Sequence, residues 1–141
     1  MAAPRPISVM LLSRSERLAA VDKRALREAG ATTRWSMTSG VEAARLLDGL
    51  AAGARPGSRP ETPDVIVCHQ ELEDMDGEQF CAMLRLHPRL VSQPVLLLMT
   101  NDTEAQQMAA LGCGASALLS RPYSVEALRR QLLSLTAYAD C

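Results

Sequence analysis

The sequence has few aromatic residues, almost no net charge and no long apolar run. Aromatic residues make up 3% of the 141 residues, and 15 basic against 16 acidic residues leave a net charge of -1. A near-neutral chain has no bulk electrostatic attraction to nucleic acid or to an anionic membrane. No apolar run approaches the ~18 residues of a bilayer span, and the short run at 7–12 is too small for a signal-peptide core. These absences argue against membrane, secreted and nucleic-acid-binding proteins, and we expect a cytoplasmic protein.

The sequence also lacks clustered cysteines. Its four cysteines, Cys68, Cys81, Cys113 and Cys141, are scattered and form no Cys-x-x-Cys pair. Zinc sites need clustered ligands, and disulfide frameworks are typical of small secreted chains. We therefore expect reduced thiols, with Cys68 and Cys81 in the core because both lie in apolar runs.

What the sequence does contain is the pattern of one α/β domain over residues 1–141, with a core at about 7–135. Hydrophobic residues make up 48% and charged residues 22%, which is typical of a globular domain. Short β-type runs alternate five times with segments of helical periodicity, and the predicted strands lie at 7–12, 32–36, 64–69, 94–99 and 117–119. Strict alternation predicts a parallel sheet with helices on both faces.

Helix starts and the main loop can also be read from local motifs. Capping residues predict helix starts at four places: 13–16, 39–42, 101–104 and Ser124. The first helix shows an apolar stripe ended by Gly30, made of Leu18, Val21, Ala25, Leu26 and Ala29. Three prolines and two glycines predict an irregular loop over 51–63.

Three segments together resemble the receiver domain of CheY-like response regulators. Residues 63–77 read Pro-Asp-Val-Ile-Val-Cys-His-Gln-Glu-Leu-Glu-Asp-Met-Asp-Gly and resemble that family's third strand and following loop. Residues 94–99 resemble its fourth strand, and residues 112–123 resemble its Gly-Ala…Lys-Pro-Phe ending. The resemblance implies a flavodoxin-like (βα)5 fold with strand order 2-1-3-4-5 and a site at the carboxyl ends of strands one, three and four.

The resemblance also shows where this sequence departs from the family. Receivers use an aspartate that accepts a phosphoryl group, two acids that help it hold Mg²⁺, and a Thr or Ser and a Lys that bind the phosphoryl oxygens. The phosphoacceptor position here is His69, and the two acid positions are Ser13 and Arg14. The Thr or Ser position is Met99, with Thr100 next, and the Lys position is Arg121. Leu118 stands at the aromatic switch position, and the Arg121–Pro122 peptide is expected to be cis.

These substitutions predict a pseudo-receiver without a cofactor. Magnesium prefers oxygen ligands, so a site that has lost three carboxylates and gained Arg14 is not expected to bind it. For His69 we favour a neutral imidazole bonded to a loop carbonyl over a phosphoacceptor, a general base or a metal ligand with Glu71 or Asp74. Ser13 fits a helix cap, and the acids of 71–76 fit a solvated loop.

The two arginines leave two interpretations open. Arg14 and Arg121 start at the rim of one predicted pocket beside His69, where two guanidinium groups would suit a small anionic ligand. Alternatively, they pair internally with Glu71, Glu73 or Asp74, which is the interpretation we favour.

The function expected from this pattern is a non-enzymatic, phosphorylation-independent signalling adaptor of a bacterial two-component pathway. It would contact a protein partner, or a second copy of itself in a homodimer, through helix four, strand five and helix five. Candidate interface residues are Met108, Leu118, Tyr123, Arg129, Arg130, Leu132 and Leu133, although Met108, like Met99, is expected mainly in the core. The alternatives are an anion or nucleotide sensor, phosphotransfer through His69, or a piece of a transcription factor, although this length leaves no room for an output domain.

Overall fold

In the computed structural model, which describes residues 6–53, 61–100 and 103–137, five parallel strands form one sheet in the order β2-β1-β3-β4-β5. The strands are β1 Ile7–Leu12, β2 Ala31–Met37, β3 Val65–His69, β4 Val95–Met99 and β5 Ala117–Ser120. This is the flavodoxin-like order expected from the sequence, and the Arg121–Pro122 peptide is cis, as expected.

One helix follows each strand. The helices are α1 Glu16–Glu28, α2 Gly40–Ala52, α3 Gly77–Arg85, α4 Glu104–Gly112 and α5 Val125–Ala137. The predicted caps at Ser39 and Ser124 are confirmed, since their hydroxyl oxygens accept hydrogen bonds from the N–H groups of Glu42 and Ala127. No described helix is long and apolar enough to cross a membrane.

The start and phase of α1 differ from the sequence prediction. The cap is Ser15, whose side chain accepts from the Leu18 N–H, so the prediction of a cap at Ser13 is wrong. Leu18 and Val21 are 40% and 63% exposed, whereas the residues turned toward the sheet are Ala19, Asp22 and Leu26. The predicted apolar stripe is therefore confirmed at Ala25, Leu26 and Ala29, which pack into the layer beneath α1, and is wrong at Leu18 and Val21, because Ala19 and the carboxylate-bearing Asp22 take the buried positions in the first turns.

Two other boundaries need correction. Helix α2 continues through Ala52, so the irregular segment predicted from residue 51 begins after it; residues 54–60 lie outside the described part of the chain. Helix α4 is capped by Thr103, which exchanges hydrogen bonds with Gln106; Asn101 and Asp102, also predicted in that cap, are not among the described residues.

Two apolar layers cover the sheet, as strict alternation along each strand requires. One layer joins α2, α3 and α4 to strand residues that include Met10, Ile66 and Met99. The other joins α1 and α5 to the intervening strand residues, among them Val9 and Val67. The strand side chains of β3 and β4 are almost completely buried, as expected for central strands covered on both faces.

Burial contradicts two expectations about single residues. Leu132 is fully buried with Leu128 in the layer beneath α5, so it is not available to a partner as predicted. Met108 was expected mainly in the core but is 69% exposed. Among the described α4 residues, Ala110 is the one that is buried against the sheet. Met99, Cys68 and Cys81 are in the core, as expected.

Neighbouring leucines on α5 should therefore respond oppositely to truncation. We predict that Leu132→Ala lowers the free energy of unfolding by about 2–5 kcal/mol, because it leaves a cavity in the core. Leu133→Ala, at a position 54% exposed, should change it by no more than ~0.5 kcal/mol. Urea unfolding of both variants checks this, and equal losses would show that α5 is rotated from the position described.

Candidate functional site

The predicted site residues follow the carboxyl ends of β1, β3, β4 and β5, which form one edge of the sheet. Ser13 directly follows β1 and is fully buried; its N–H donates to the Met37 carbonyl, and its hydroxyl has no described hydrogen-bond partner. This position is too enclosed to serve as the helix cap that the sequence suggested.

His69 ends β3 and is 8% exposed. Its Nδ1 lies 3.1 Å from both the backbone nitrogen and the carbonyl oxygen of Glu71. A neutral imidazole nitrogen either accepts from the amide or donates to the carbonyl, depending on its tautomer. In both cases the ring is hydrogen-bonded to the backbone of its own loop. A bond between the imidazole and this loop is what the interpretation that we favoured from the sequence predicted.

The end of β4 presents a backbone group rather than a side chain to the site. The Met99 side chain points into the core, and the exposed Thr100 comes next. The Thr100 N–H donates to Oε1 of Gln70 at 3.2 Å. The amides of Glu71 and Thr100, which follow adjacent strands, thus both lie against side chains of this chain, His69 and Gln70. Gln70 was not singled out from the sequence, although its place directly after β3 was a usable signal.

Arg14 pairs within the protein. Its Nη1 lies 3.0 Å from Oε2 of Glu71, which joins the β1–α1 and β3–α3 loops. The two side chains are 64% and 58% exposed, so water screens the attraction and the pair contributes little to stability by itself. Its effect is to place a carboxylate beside the guanidinium that would otherwise be free to bind an anion.

Arg121 pairs with a residue that the sequence did not suggest. Its Nη2 lies 2.6 Å from Oδ2 of Asp22 on α1, and not beside Glu71, Glu73 or Asp74 as predicted. Asp22 is 1% exposed and also accepts from the Tyr123 hydroxyl, while the Arg121 guanidinium lies 5.6 Å from the Tyr123 ring. The structure therefore does not bring Arg14 and Arg121 together beside His69. The spacing of Asp22 from Leu26 and Ala29 places its carboxylate on the same face of α1, and this was the signal missed in the sequence.

The environment of Tyr123 shows how enclosed this cluster is. Burial raises the pKa of the phenol, and the hydrogen bond to Asp22 and its negative charge raise it further, with only Arg121 acting in the opposite direction. The hydroxyl therefore remains a donor to Asp22 across the physiological range. Tyr123 is thus held inward, which limits its use as the interface residue suggested by the sequence.

The acidic loop 71–76 is bonded to its neighbours rather than simply solvated. Glu73 Oε2 accepts from the Thr38 hydroxyl at 2.6 Å, and Asp74 accepts from the Gly40 and Val41 amides and the Ser39 hydroxyl. Although burial acts to raise the pKa of Asp74, these hydrogen bonds outweigh it and hold the pKa below its ordinary value. Asp74 therefore accepts hydrogen bonds from the amino end of α2 instead of pairing with His69.

The close approach of the Gly77 backbone to the core fixes the end of the acidic loop 71–76. A Cβ atom at Gly77 would lie 2.5 Å from Cδ1 of Leu97 and 2.6 Å from the carbonyl oxygen of His69. Only glycine fits there without displacing the strand end. The first turn of α3, and with it Asp76, is therefore set against the carboxyl ends of β3 and β4.

Between these loops lies a polar cavity of about 350 Å³. Its lining residues come from the β3–α3 loop and the starts of α3 and α4, and they are Gln70, Glu71, Asp76, Glu78, Thr100 and Gln106. Three of the six are acidic and none is basic. Even so, no group of three or more His, Cys, Asp or Glu side chains in the described part of the chain is arranged to hold a metal ion.

The buried cysteines do not supply a nucleophile. Burial raises the pKa of the Cys68 thiol well above its usual value and that of Cys81 to about 11. Since the thiolate is the reactive form, both thiols are inert near neutral pH.

The predicted interface divides between two flanks of α5. Arg129 donates to the carbonyls of Glu28 and Ala29, so its flank faces α1, and Leu133 follows one turn later on the same flank. The opposite flank, with Gln131 and Ser134, lines a cavity of about 460 Å³ beside the start of β5.

The exposed apolar side chains on the β5 side come from α4 instead. Met108 is 69% and Leu111 51% exposed, while Leu118 is partly buried against the core. Arg130 is exposed, 4.0 Å from Glu126. The accessible apolar part of the helix 4–strand 5–helix 5 face is therefore carried by α4, and Leu133 does not belong to it.

Comparisons with known proteins agree with this geometry. The profile of the response regulator receiver domain matches residues 17–133. The chain is 30% identical over 132 residues to "Probable transcriptional regulatory protein TcrX" of Mycobacterium tuberculosis, covering 93% of this chain and 50% of that protein. It spans half or less of the length of the curated relatives it matches.

Solved structures give the same result. The receiver domain of a signal transduction histidine kinase from Syntrophus aciditrophicus is 26% identical with a TM-score of 0.74, covering 94% of this chain and 91% of that one. The receiver domain of a Pseudomonas aeruginosa sensor histidine kinase, solved with magnesium coordinated in its active-site cleft, has 20% identity, a TM-score of 0.73, and coverage of 94% and 99%.

The chain belongs to the response regulator receiver domain family. It is a receiver domain of two-component signalling, and such domains act as signalling modules through protein partners.

The loop bonds of Asp74 generate a stability prediction. Asp74→Ala removes the acceptor for two α2 amides, and we expect it to lower the free energy of unfolding by about 0.5–2 kcal/mol, as for the loss of a helix cap. Thermal and urea unfolding measure this. Glu61→Gln, at an exposed position outside any helix or strand, serves as the control and should have no effect.

The same bonds predict a pH dependence. Because the pKa of Asp74 is lowered by folding, its contribution is complete above the unfolded value of about 3.9 and is lost as pH falls through the folded pKa. Asp74→Asn should therefore flatten the decrease in stability as the pH falls below about 4. An unchanged pH profile would contradict the proposed role of this carboxylate.

Proposed function

We propose that the chain is a phosphorylation-independent receiver that signals by protein contact. The single observation that carries the proposal is the imidazole of His69, held by the backbone of Glu71 at the position that resembles the phosphoacceptor. An imidazole cannot form the aspartyl phosphate on which ordinary receivers depend. A constitutive state, read by a partner, is the function that remains for such a fold.

The surroundings of His69 support the same proposal. Ser13 and Arg14 stand where the family places metal-binding acids, and magnesium in proteins prefers oxygen ligands. The Pseudomonas domain with bound magnesium shares this fold, but the residues present here do not fit that ion, since Arg14 would bring a second positive charge beside it. We therefore propose that the domain holds no Mg²⁺ at this edge of the sheet.

The anion-sensor alternative has less support. Arg14 is paired with Glu71 and Arg121 with Asp22, and the amides of Glu71 and Thr100 already lie against the side chains of His69 and Gln70. An anion would have to displace those contacts and enter a cavity lined by carboxylates. Phosphotransfer through His69 would have to use Nε2, because Nδ1 is engaged with the loop.

A phosphodonor experiment tests the first half of the proposal. Incubation with acetyl phosphate and Mg²⁺ should leave the intact mass unchanged, and Mg²⁺ alone should not shift the amide NMR signals of residues 69–71. The matched control is Ser13→Asp/Arg14→Asp/His69→Asp, which restores three carboxylates and should gain a magnesium-dependent shift. An acid-labile phosphoryl adduct on His69 in the parent would instead establish phosphotransfer.

The contact surface is proposed to be the exposed apolar part of α4. Met108 and Leu111 project from a short helix that buries little of itself, beside the half-exposed edge strand β5. Contiguous exposed apolar surface marks contact sites, and Met108 and Leu111, three residues apart, are neighbours on one helix face. A partner protein or a second copy of the chain could bind there.

Photocrosslinking in the native organism tests the surface. A photoreactive residue replacing Met108 or Leu111 should yield a discrete adduct, with a second copy or with another protein. The same residue replacing Leu133, equally exposed but on the α1 flank of α5, is the control and should yield none. Adducts from position 133 with none from 108 or 111 would place the contact surface on α1 and α5.

A further inference from the structure

The Asp22–Arg121–Tyr123 cluster is not explained by the stability of the fold. Asp22 is 1% exposed in the centre of the buried face of α1, and the Arg121 side chain is 20% exposed. Removing both charges from water costs free energy that their attraction often fails to recover, and well-packed apolar residues are often as stable at such places. The cluster is also incompletely satisfied, since Nε of Arg121 is buried without a described partner.

The backbone of Arg121 is bonded to the residue that precedes a lining residue of the polar cavity. The Arg121 N–H donates to the Met99 carbonyl at 2.8 Å, so residue 121 is adjacent to the end of β4. Thr100, the next residue along, lines the polar cavity. Residue 121 therefore starts beside a residue that lines the cavity, while its side chain extends toward α1.

The charges of the cavity suit a second guanidinium group. Its lining contains the carboxylates of Glu71, Asp76 and Glu78, and the cation described beside them is Arg14, on Glu71. Three carboxylates with one bound arginine leave an excess of negative charge. Oppositely charged partners at short range stabilise an ion pair, particularly where water is partly excluded.

We propose that Arg121 is a two-position switch, held by Asp22 and Tyr123 in the state observed and entering the acidic cavity when that hold is released. Entry would disturb the Gln70–Thr100 contact and reach Gln106, whose side chain caps α4. The switch would therefore link the position of α1 to the start of α4. It does not depend on which surface binds the partner or on whether the domain is phosphorylated.

Amide NMR of Asp22→Asn tests the switch. Loss of the carboxylate charge should move Arg121, so we expect signal shifts at Thr100 and Gln106 in addition to those around residue 22. The matched control is Asp22→Asn/Arg121→Gln, in which the shifts at Thr100 and Gln106 should disappear. Shifts confined to α1 and the β5–α5 turn, or the same Thr100 shift in the double variant, would overturn the proposal.

A milder variant keeps the test decisive if Asp22→Asn does not fold. Tyr123→Phe removes one hydrogen bond to Asp22 and leaves both charges in place. It should produce smaller shifts at Thr100 and Gln106 in the same direction, through a partial population of the second position. Unmoved Thr100 and Gln106 signals in a folded Tyr123→Phe would contradict the switch.

Discussion

Hydrogen bonds from the β3–α3 loop, residues 70–76, hold together the loops at the carboxyl edge of the sheet. Glu71 binds the loop after β1, Glu73 and Asp74 bind the residues before and within the start of α2, and Gln70 binds the residue after β4. These bonds fix the relative positions of three loops that would otherwise be joined only through the sheet. The site is thus formed by the side chains of one loop rather than around a bound group.

That arrangement gives the proposed function a physical basis. In a receiver that responds to phosphorylation, the strand-end loops must be able to exchange partners when charge enters the pocket. Here the amides of Glu71 and Thr100 face His69 and Gln70, and Arg14 is bound to a carboxylate. The remaining arginine, Arg121, is bound to Asp22 of α1 in the state observed.

The fold could be predicted from the sequence because it depends on patterns that tolerate local error. Strand order and the two apolar layers follow from alternation and family resemblance, and they do not depend on the first turns of α1, where Leu18 and Val21 were wrongly expected in the core. The contacts of the site could not be predicted as well, because they depend on which of several acids each arginine reaches. Arg14 reaches Glu71, one of the predicted acids, whereas Arg121 pairs with Asp22, whose charge suggests a surface residue although its spacing from Leu26 and Ala29 places it on the buried face of α1.

Hydrogen–deuterium exchange at the amides of Glu71 and Thr100 tests most directly whether the strand ends are satisfied by the chain itself. If they are, both amides exchange more slowly than unstructured ones, and adding Mg²⁺ with a phosphoryl analogue such as beryllofluoride leaves their rates unchanged. Fast exchange that becomes slow only when those ions are added would contradict the account, because it would show an open pocket waiting for a phosphoryl group.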